Sequence, residues 1–138
     1  MTQLAIHNPA NDTLITSLPA DDAASVAAKA ARARAAQPAW AAVPLAQRKA
    51  CIEKFRAGVV RDLESLAIKM SRNELNGLLG RIDFFLKEAD DTLATETVFS
   101  DGGMTEQIQH TPLGVVANIS AWNYPWFVGC NVIMPALL

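Results

Sequence analysis

From Gln107 to Leu138 the chain contains no Asp, Glu, Lys or Arg. So long an uncharged run has two homes, a bilayer or the interior of a protein. Its polar residues favour the second. Asn118, Asn123 and Asn131 are costly in hydrocarbon, and Pro125 and Pro135 would interrupt a spanning helix. No Lys or Arg cluster flanks the run to anchor it at headgroups. The expectation is a buried strand followed by a buried helix, with no membrane partner. Such a run implies a larger core than 138 residues supply.

The rest of the composition fits a packed domain. Hydrophobic residues make up 51% of the chain and charged ones 19%, too apolar for a disordered segment. Net charge is −2, so no basic face offers itself to nucleic acid. Lys29, Arg32, Arg34, Arg48, Lys49, Lys54 and Arg56 are interleaved with apolar residues and read as solvated helix faces. Cys51 and Cys130 are far apart and fit no metal or C-x-x-C spacing, so no metal site is expected. Each reads as a buried, unreactive thiol. Met1–Pro19 has neither a basic start nor a long apolar stretch, which makes a reducing cytoplasm the expected location.

Short strands are expected at Leu4–Ile6 and Leu14–Ser17, hinged on the turn formers Asn8 to Asp12. Asp21 or Asp22 then caps an Ala-rich helix running to about Ala36. Pro38 stops it, and Trp40 docks from a connector. Pro44 opens a second helix with Cys51, Ile52, Phe55, Val59 and Val60 at helical spacing. A third begins near Asp62, with Leu63, Leu66, Ala67 and Met70 on one face. Leu75, Leu78, Leu79, Ile82, Leu86, Ala89 and Leu93 resume the stripe. The step of five from Met70 to Leu75 rotates that stripe by about 100° relative to a step of four. Ser71-Arg72-Asn73-Glu74 has capping-box spacing, so a fresh helix can start at Ser71. The alternative is one long helix whose stripe drifts.

After Thr92 the composition turns to strand formers. Thr95–Phe99 and Thr105–Gln109 flank the turn Ser100-Asp101-Gly102-Gly103. Pro112-Leu113-Gly114 leads into Val115–Ser120, a nearly continuous apolar strand suited to a parallel sheet covered on both faces. Trp122-Asn123-Tyr124-Pro125 follows, and Pro125 can lead a helix through Phe127, Val128, Val132, Ile133 and Leu137. A strand, a turn and a helix start are half of a βαβ unit, where ligands sit beyond the strand ends. Asn123 cannot ionise and has an amide donor. It suits a developing oxyanion near a helix start whose backbone N–H groups also face outward. The competing reading is an Asn that only satisfies turn backbone. Trp122 and Tyr124 could wall a pocket. His7 and His110 have no nucleophile at useful spacing, and no glycine-rich phosphate motif or H-E-x-x-H occurs.

The segment Thr111-Pro-Leu-Gly-Val-Val-Ala-Asn-Ile-Ser-Ala-Trp-Asn-Tyr-Pro, with Pro135-Ala-Leu-Leu138, resembles the aldehyde dehydrogenase superfamily, with its P-x-G-V strand, P-W-N-[FY]-P turn and P-A-L helix end. The order of elements upstream is similar to the family over essentially the whole chain. The resemblance implies an α/β fold: the N-terminal portion of a Rossmann-like cofactor domain, with helices, β-hairpins and a parallel-sheet strand. Residues 1–94 would be its helical part, 95–111 an oligomerisation hairpin, and 112–138 the first strand-turn-helix. It also implies oxidation of an aldehyde to a carboxylic acid with NAD or NADP. In the family a cysteine thiolate attacks, an asparagine holds the oxyanion, hydride leaves to the nicotinamide, and a glutamate activates water.

Carried onto this chain, Asn123 is the oxyanion residue. Ile119, Ser120, Ala121 and Trp122 approach the cofactor, and Tyr124, Phe127 and Val128 line the substrate tunnel. A homodimer or homotetramer through the 95–111 hairpin is implied. Three departures stand out. Ala121 replaces the usual proline. The G-K-P connector is absent near Ser71. The family's downstream lysine, glycine-rich turn, glutamate and nucleophilic cysteine do not occur, and neither Cys51 nor Cys130 matches the nucleophile. The chain by itself is therefore expected to show no turnover. The alternative is a non-enzymatic truncated paralogue acting as an interaction module. The particular aldehyde and the choice between NAD and NADP are not encoded in these residues.

Overall fold

A computed structural model describes residues 2–69 and 72–138. It divides into two compact units, Met1–Trp40 and Ala41–Leu138.

The first unit opens with an antiparallel hairpin, β1 (Gln3–His7) and β2 (Leu14–Pro19), in which Leu4 faces Leu18 and Ile6 faces Thr16. The turn is built as its composition predicts. The Asn8 N–H donates to the Thr13 carbonyl at 2.8 Å, and the Asn8 side-chain oxygen accepts from the Ala10 N–H at 2.9 Å. Asp12 takes the left-handed conformation, φ 56°, which a short polar side chain tolerates. Helix α1 (Ala23–Ala41) follows. Of the two candidate caps, Asp22 makes the capping contacts. Its carboxylate accepts from the Ser25 N–H at 2.8 Å, while its own N–H donates to Ser25 Oγ at 2.9 Å. This reciprocal pair satisfies two donors that a helix start leaves open.

Pro38 does not stop α1 as expected; the helix continues to Ala41 and takes Trp40 into its last turn, half-buried. The reason is position. The proline lies on an exposed face close to the helix end, where water can accept the role of the one missing N–H bond.

The second unit is a helical cluster centred on one element. Its helices are α2 (Leu45–Arg61), α3 (Leu63–Lys69), α4 (Arg72–Leu93) and α5 (Pro125–Leu137), with a hairpin of β3 (Glu96–Asp101) and β4 (Met104–Ile108) between the last two. Helix α4 contacts α2, α3 and α5. Its Leu75, Leu78 and Ile82 are fully buried, at spacings of three and four that put them on one face. Ile52 and Val59 of α2, and Cys130 and Met134 of α5, close over them. Polar clasps flank this core. The Arg56 guanidinium grips Asp83 with two bonds of 2.6 and 2.8 Å, joining α2 to α4, and Lys49 pairs with Asp90 across the same seam. Arg72 reaches back from α4 to Glu64 of α3 with two bonds of 2.6 and 2.7 Å.

Helices α3 and α4 lie on either side of positions 70 and 71. Met70 and Ser71, where the choice between a fresh helix and one long helix falls, lie outside the described residues. Cys51 corrects another expectation: it is exposed, not buried. The buried line of α2 runs through Ile52 and Val59, one neighbour round the helix from Cys51.

The hairpin turn is tighter than expected. Its strands run on to Asp101 and back from Met104, leaving Gly102 and Gly103 as a two-residue turn with φ of 52° and 119°. Both angles are ones that glycine adopts without steric cost. The segment Val115–Ser120 corrects the strand expectation: it forms no strand. Extended backbone becomes a strand only beside a hydrogen-bonding neighbour. Among the described residues the two sheets are the separate hairpins, and neither pairs with this segment. Val115 to Ile119 stay exposed, Ile119 to 97%.

A candidate active-site turn before α5

The turn Ala121–Tyr124 delivers the chain into α5, whose first helical residue is Pro125. Proline suits that place because its fixed φ is helical and its missing N–H would have no intrahelical partner. The neighbouring donors are occupied. Both the Trp126 N–H and the Phe127 N–H donate to Glu74 Oε1, at 2.8 and 3.2 Å, and the Val128 N–H donates to the Tyr124 carbonyl at 3.0 Å. The expectation that the helix start offers its backbone donors to a ligand is therefore corrected. A carboxylate from α4 takes them, as the favourable end of the helix dipole predicts.

Glu74 stands in a different role from the one its spacing suggests. Capping-box spacing ties it to Ser71, at the start of its own helix, whereas its side chain reaches α5, 52 positions away. Only 4% of Glu74 is exposed, and it is the single buried charged residue among those described. A buried carboxylate needs hydrogen-bond donors to offset lost hydration, and the α5 amides supply them. The one sequence signal for this role is its place on the buried side of α4, next to Leu75.

A second tether holds the approach to the turn. Asn118 donates its side-chain N–H to the Gly129 carbonyl at 3.0 Å, and Ser120 Oγ donates to Asn118 Oδ1 at 2.5 Å. Of the cofactor candidates, Ser120 is thus half-buried and bonded, whereas Ile119, Ala121 and Trp122 are exposed, Trp122 to 89%. Asn123 is exposed, immediately before the helix. Tyr124 is exposed, and Phe127 and Val128 are half-buried on the first turn of α5. Gly77 of α4 allows the Phe127 ring to approach: a Cβ there would lie 3.3 Å from the ring. The Arg81 guanidinium stacks 5.8 Å from the centre of the same ring.

Cys130 lies one helical turn further along, buried. Burial first, and the nearby Glu74 carboxylate second, push its thiol above the ordinary range. A nucleophile needs the opposite environment. Among the described residues no group of His, Cys, Asp and Glu side chains could hold a metal ion. None of the described helices is long and apolar enough to cross a membrane.

The same fold is found in known proteins. The aldehyde dehydrogenase family model matches residues 1–138. A Mycolicibacterium smegmatis protein, provisionally named succinate-semialdehyde dehydrogenase [NADP(+)], is 33% identical over 136 residues, covering 90% of this chain and 26% of its own. The N-succinylglutamate 5-semialdehyde dehydrogenase of Novosphingobium aromaticivorans is 30% identical over 118 residues, 78% of this chain and 25% of its own. The crystal structure of PnpE in complex with nicotinamide adenine dinucleotide superposes with a TM-score of 0.86 at 28% identity, over 99% of this chain and 30% of that one. The chain spans about a quarter of the length of the curated relatives it matches. Its α/β fold is that of the corresponding part of these enzymes. With a family match along its whole length, the chain belongs to the aldehyde dehydrogenase family.

Proposed function

We propose that this chain forms the oxyanion corner of an NAD(P)-dependent aldehyde dehydrogenase, with Asn123 as the residue that holds the developing charge. The observation that carries the reading is the exposed asparagine at the turn before α5, beside a helix start whose own donors are spent on Glu74. A neutral amide donor stabilises a tetrahedral oxyanion without titrating. When bound, the nicotinamide cofactor supplies the hydride acceptor. Ile119, Ser120, Ala121 and Trp122, which run up to the asparagine, are the residues of this chain assigned to its approach. Tyr124, Phe127 and Val128 are assigned to the substrate channel, where aromatic and apolar walls exclude water. One relative is named for NADP and PnpE was crystallised with NAD, so both coenzymes enter the assay. Relatives named for semialdehydes make those the first aldehydes to try. Free thiols at Cys51 and Cys130 suit a cytoplasmic location.

The test is a chimera in which this chain replaces the matching quarter of the Mycolicibacterium smegmatis relative. Aldehyde-dependent formation of NADH or NADPH is the expected result. Asn123→Ala should lower kcat by about 100- to 1,000-fold, the usual cost of deleting an oxyanion donor. A folded, active chimera in which Asn123→Ala keeps full kcat would refute the assignment.

A second reading, an association module, is favoured by a separate observation. The β3–β4 hairpin exposes Val98, Phe99, Met104 and Ile108. Exposed apolar strands of this kind pair with other edges. The two readings are compatible, because a hairpin can join copies while the turn serves catalysis.

A further inference from the structure

We propose that Glu74 is a positioning residue for the asparagine turn: from α4 it clamps the first two donating amides of α5 and so sets where Asn123 stands. The inference rests on the reading of Asn123 as the oxyanion donor and adds a residue to which no role in that reading has been assigned. Three observations converge on it. Glu74 is 4% exposed, so its carboxylate has little water to turn to. One oxygen, Oε1, accepts from both Trp126 and Phe127, which fixes the helix start in direction as well as in distance. Asn123 and Tyr124 precede Pro125 with no intervening linker, so a tilt of the first turn moves the asparagine with it.

The surroundings explain why the contact is a clamp and not one bond among many. Gly77, one turn after Glu74, lets the Phe127 ring lie close against α4. Asn118 holds the incoming segment to the Gly129 carbonyl, further along the same helix. The turn is thus fastened before and after Asn123, by Asn118 on the approach and by Glu74 on the departure. Of the two, only Glu74 is charged, and it meets the positive end of the helix.

The experiment uses the ¹⁵N-labelled 138-residue chain and its E74A, E74Q and N123A variants, read by hydrogen exchange and amide shifts. In E74A the Trp126 and Phe127 amides should exchange at least about tenfold faster, and the Asn123 backbone and side-chain signals should shift. E74Q keeps an acceptor oxygen at the same reach. It should retain most of the protection, with the two amide protons moved upfield because the acceptor is no longer charged. N123A should leave Trp126 and Phe127 protected; exchange needs no turnover, so the clamp is judged here and the catalytic reading separately by kcat of the chimera. Unchanged exchange at both amides in E74A would overturn the proposal, as would E74Q losing protection as completely as E74A. If E74A does not fold, unmoved Trp126 and Phe127 resonances in folded E74Q would overturn it equally.

Discussion

At the scale of single residues, stability concentrates where α4 meets its neighbours. Leu78 has no exposed surface and belongs to the core that α4 shares with α2 and α5. Truncating it removes apolar burial and leaves a cavity that packed helices fill only in part. Leu78→Ala should cost about 2–5 kcal/mol, read as a lower urea midpoint with little change in slope. Leu93→Ala, at a site 38% exposed, should cost far less and serves as the control. The two cysteines make an equally local contrast. Cys51 is exposed, whereas Cys130 is buried and its thiol is raised by burial and by the Glu74 charge. Iodoacetamide should therefore label Cys51 alone in the folded chain and both residues after denaturation, as counted by mass. Rapid labelling of native Cys130 would contradict the burial. Burial and the Glu74 charge explain why the Cys130 thiol is not assigned the nucleophile.

At the scale of elements, the α2–α4 seam has an acid-sensitive clasp. The Arg56 guanidinium holds the Asp83 carboxyl below its ordinary range, and Arg72 does the same to Glu64 between α3 and α4. A carboxyl depressed in the folded state contributes stability that is present above its unfolded pKa and is lost as pH falls through the folded one. Melting temperature should thus hold steady near neutrality and decline once pH drops below about 4, the ordinary carboxylate value. Asp83→Asn should flatten part of that decline. Both partners are substantially exposed, so the effect is modest and salt weakens it.

The same elements show what a sequence discloses. Helices α2 and α4 are legible because apolar residues at spacings of three and four encode a buried face locally, and Asp22 is legible because a cap is decided within four residues. The Asn123 turn is legible through its motif and its place before a proline. Three features are not: two depend on distant chain and one on where a residue falls along its helix. Glu74 has capping-box spacing to Ser71, but its carboxylate reaches amides 52 and 53 positions away. Val115–Ser120 has the composition of a strand, but composition does not supply a neighbouring strand. Pro38 breaks helices in general, yet near an exposed helix end the missing bond costs little.

At the scale of the whole molecule, exposed apolar surface points to association through the hairpin. Val98, Phe99, Met104 and Ile108 are each exposed by 42% or more, and every residue of β3 and β4 is exposed. A two-stranded hairpin without a covered face is marginal in water and leaves unpaired backbone along both edges. Pairing with a second hairpin would bury that face and satisfy one edge at once. Sedimentation should therefore show an average mass that rises with concentration. Phe99→Lys together with Met104→Lys should hold the chain at monomer mass, because like charges oppose each other across a symmetric contact. These positions are remote in sequence from Glu74 and the α4 core, so the double variant should keep its helical content and its urea midpoint. A rise in mass that persists unchanged in the double variant would move the contact away from the hairpin, to the exposed Val115–Trp122 segment. The hairpin reading would then fail while the asparagine turn stayed untouched.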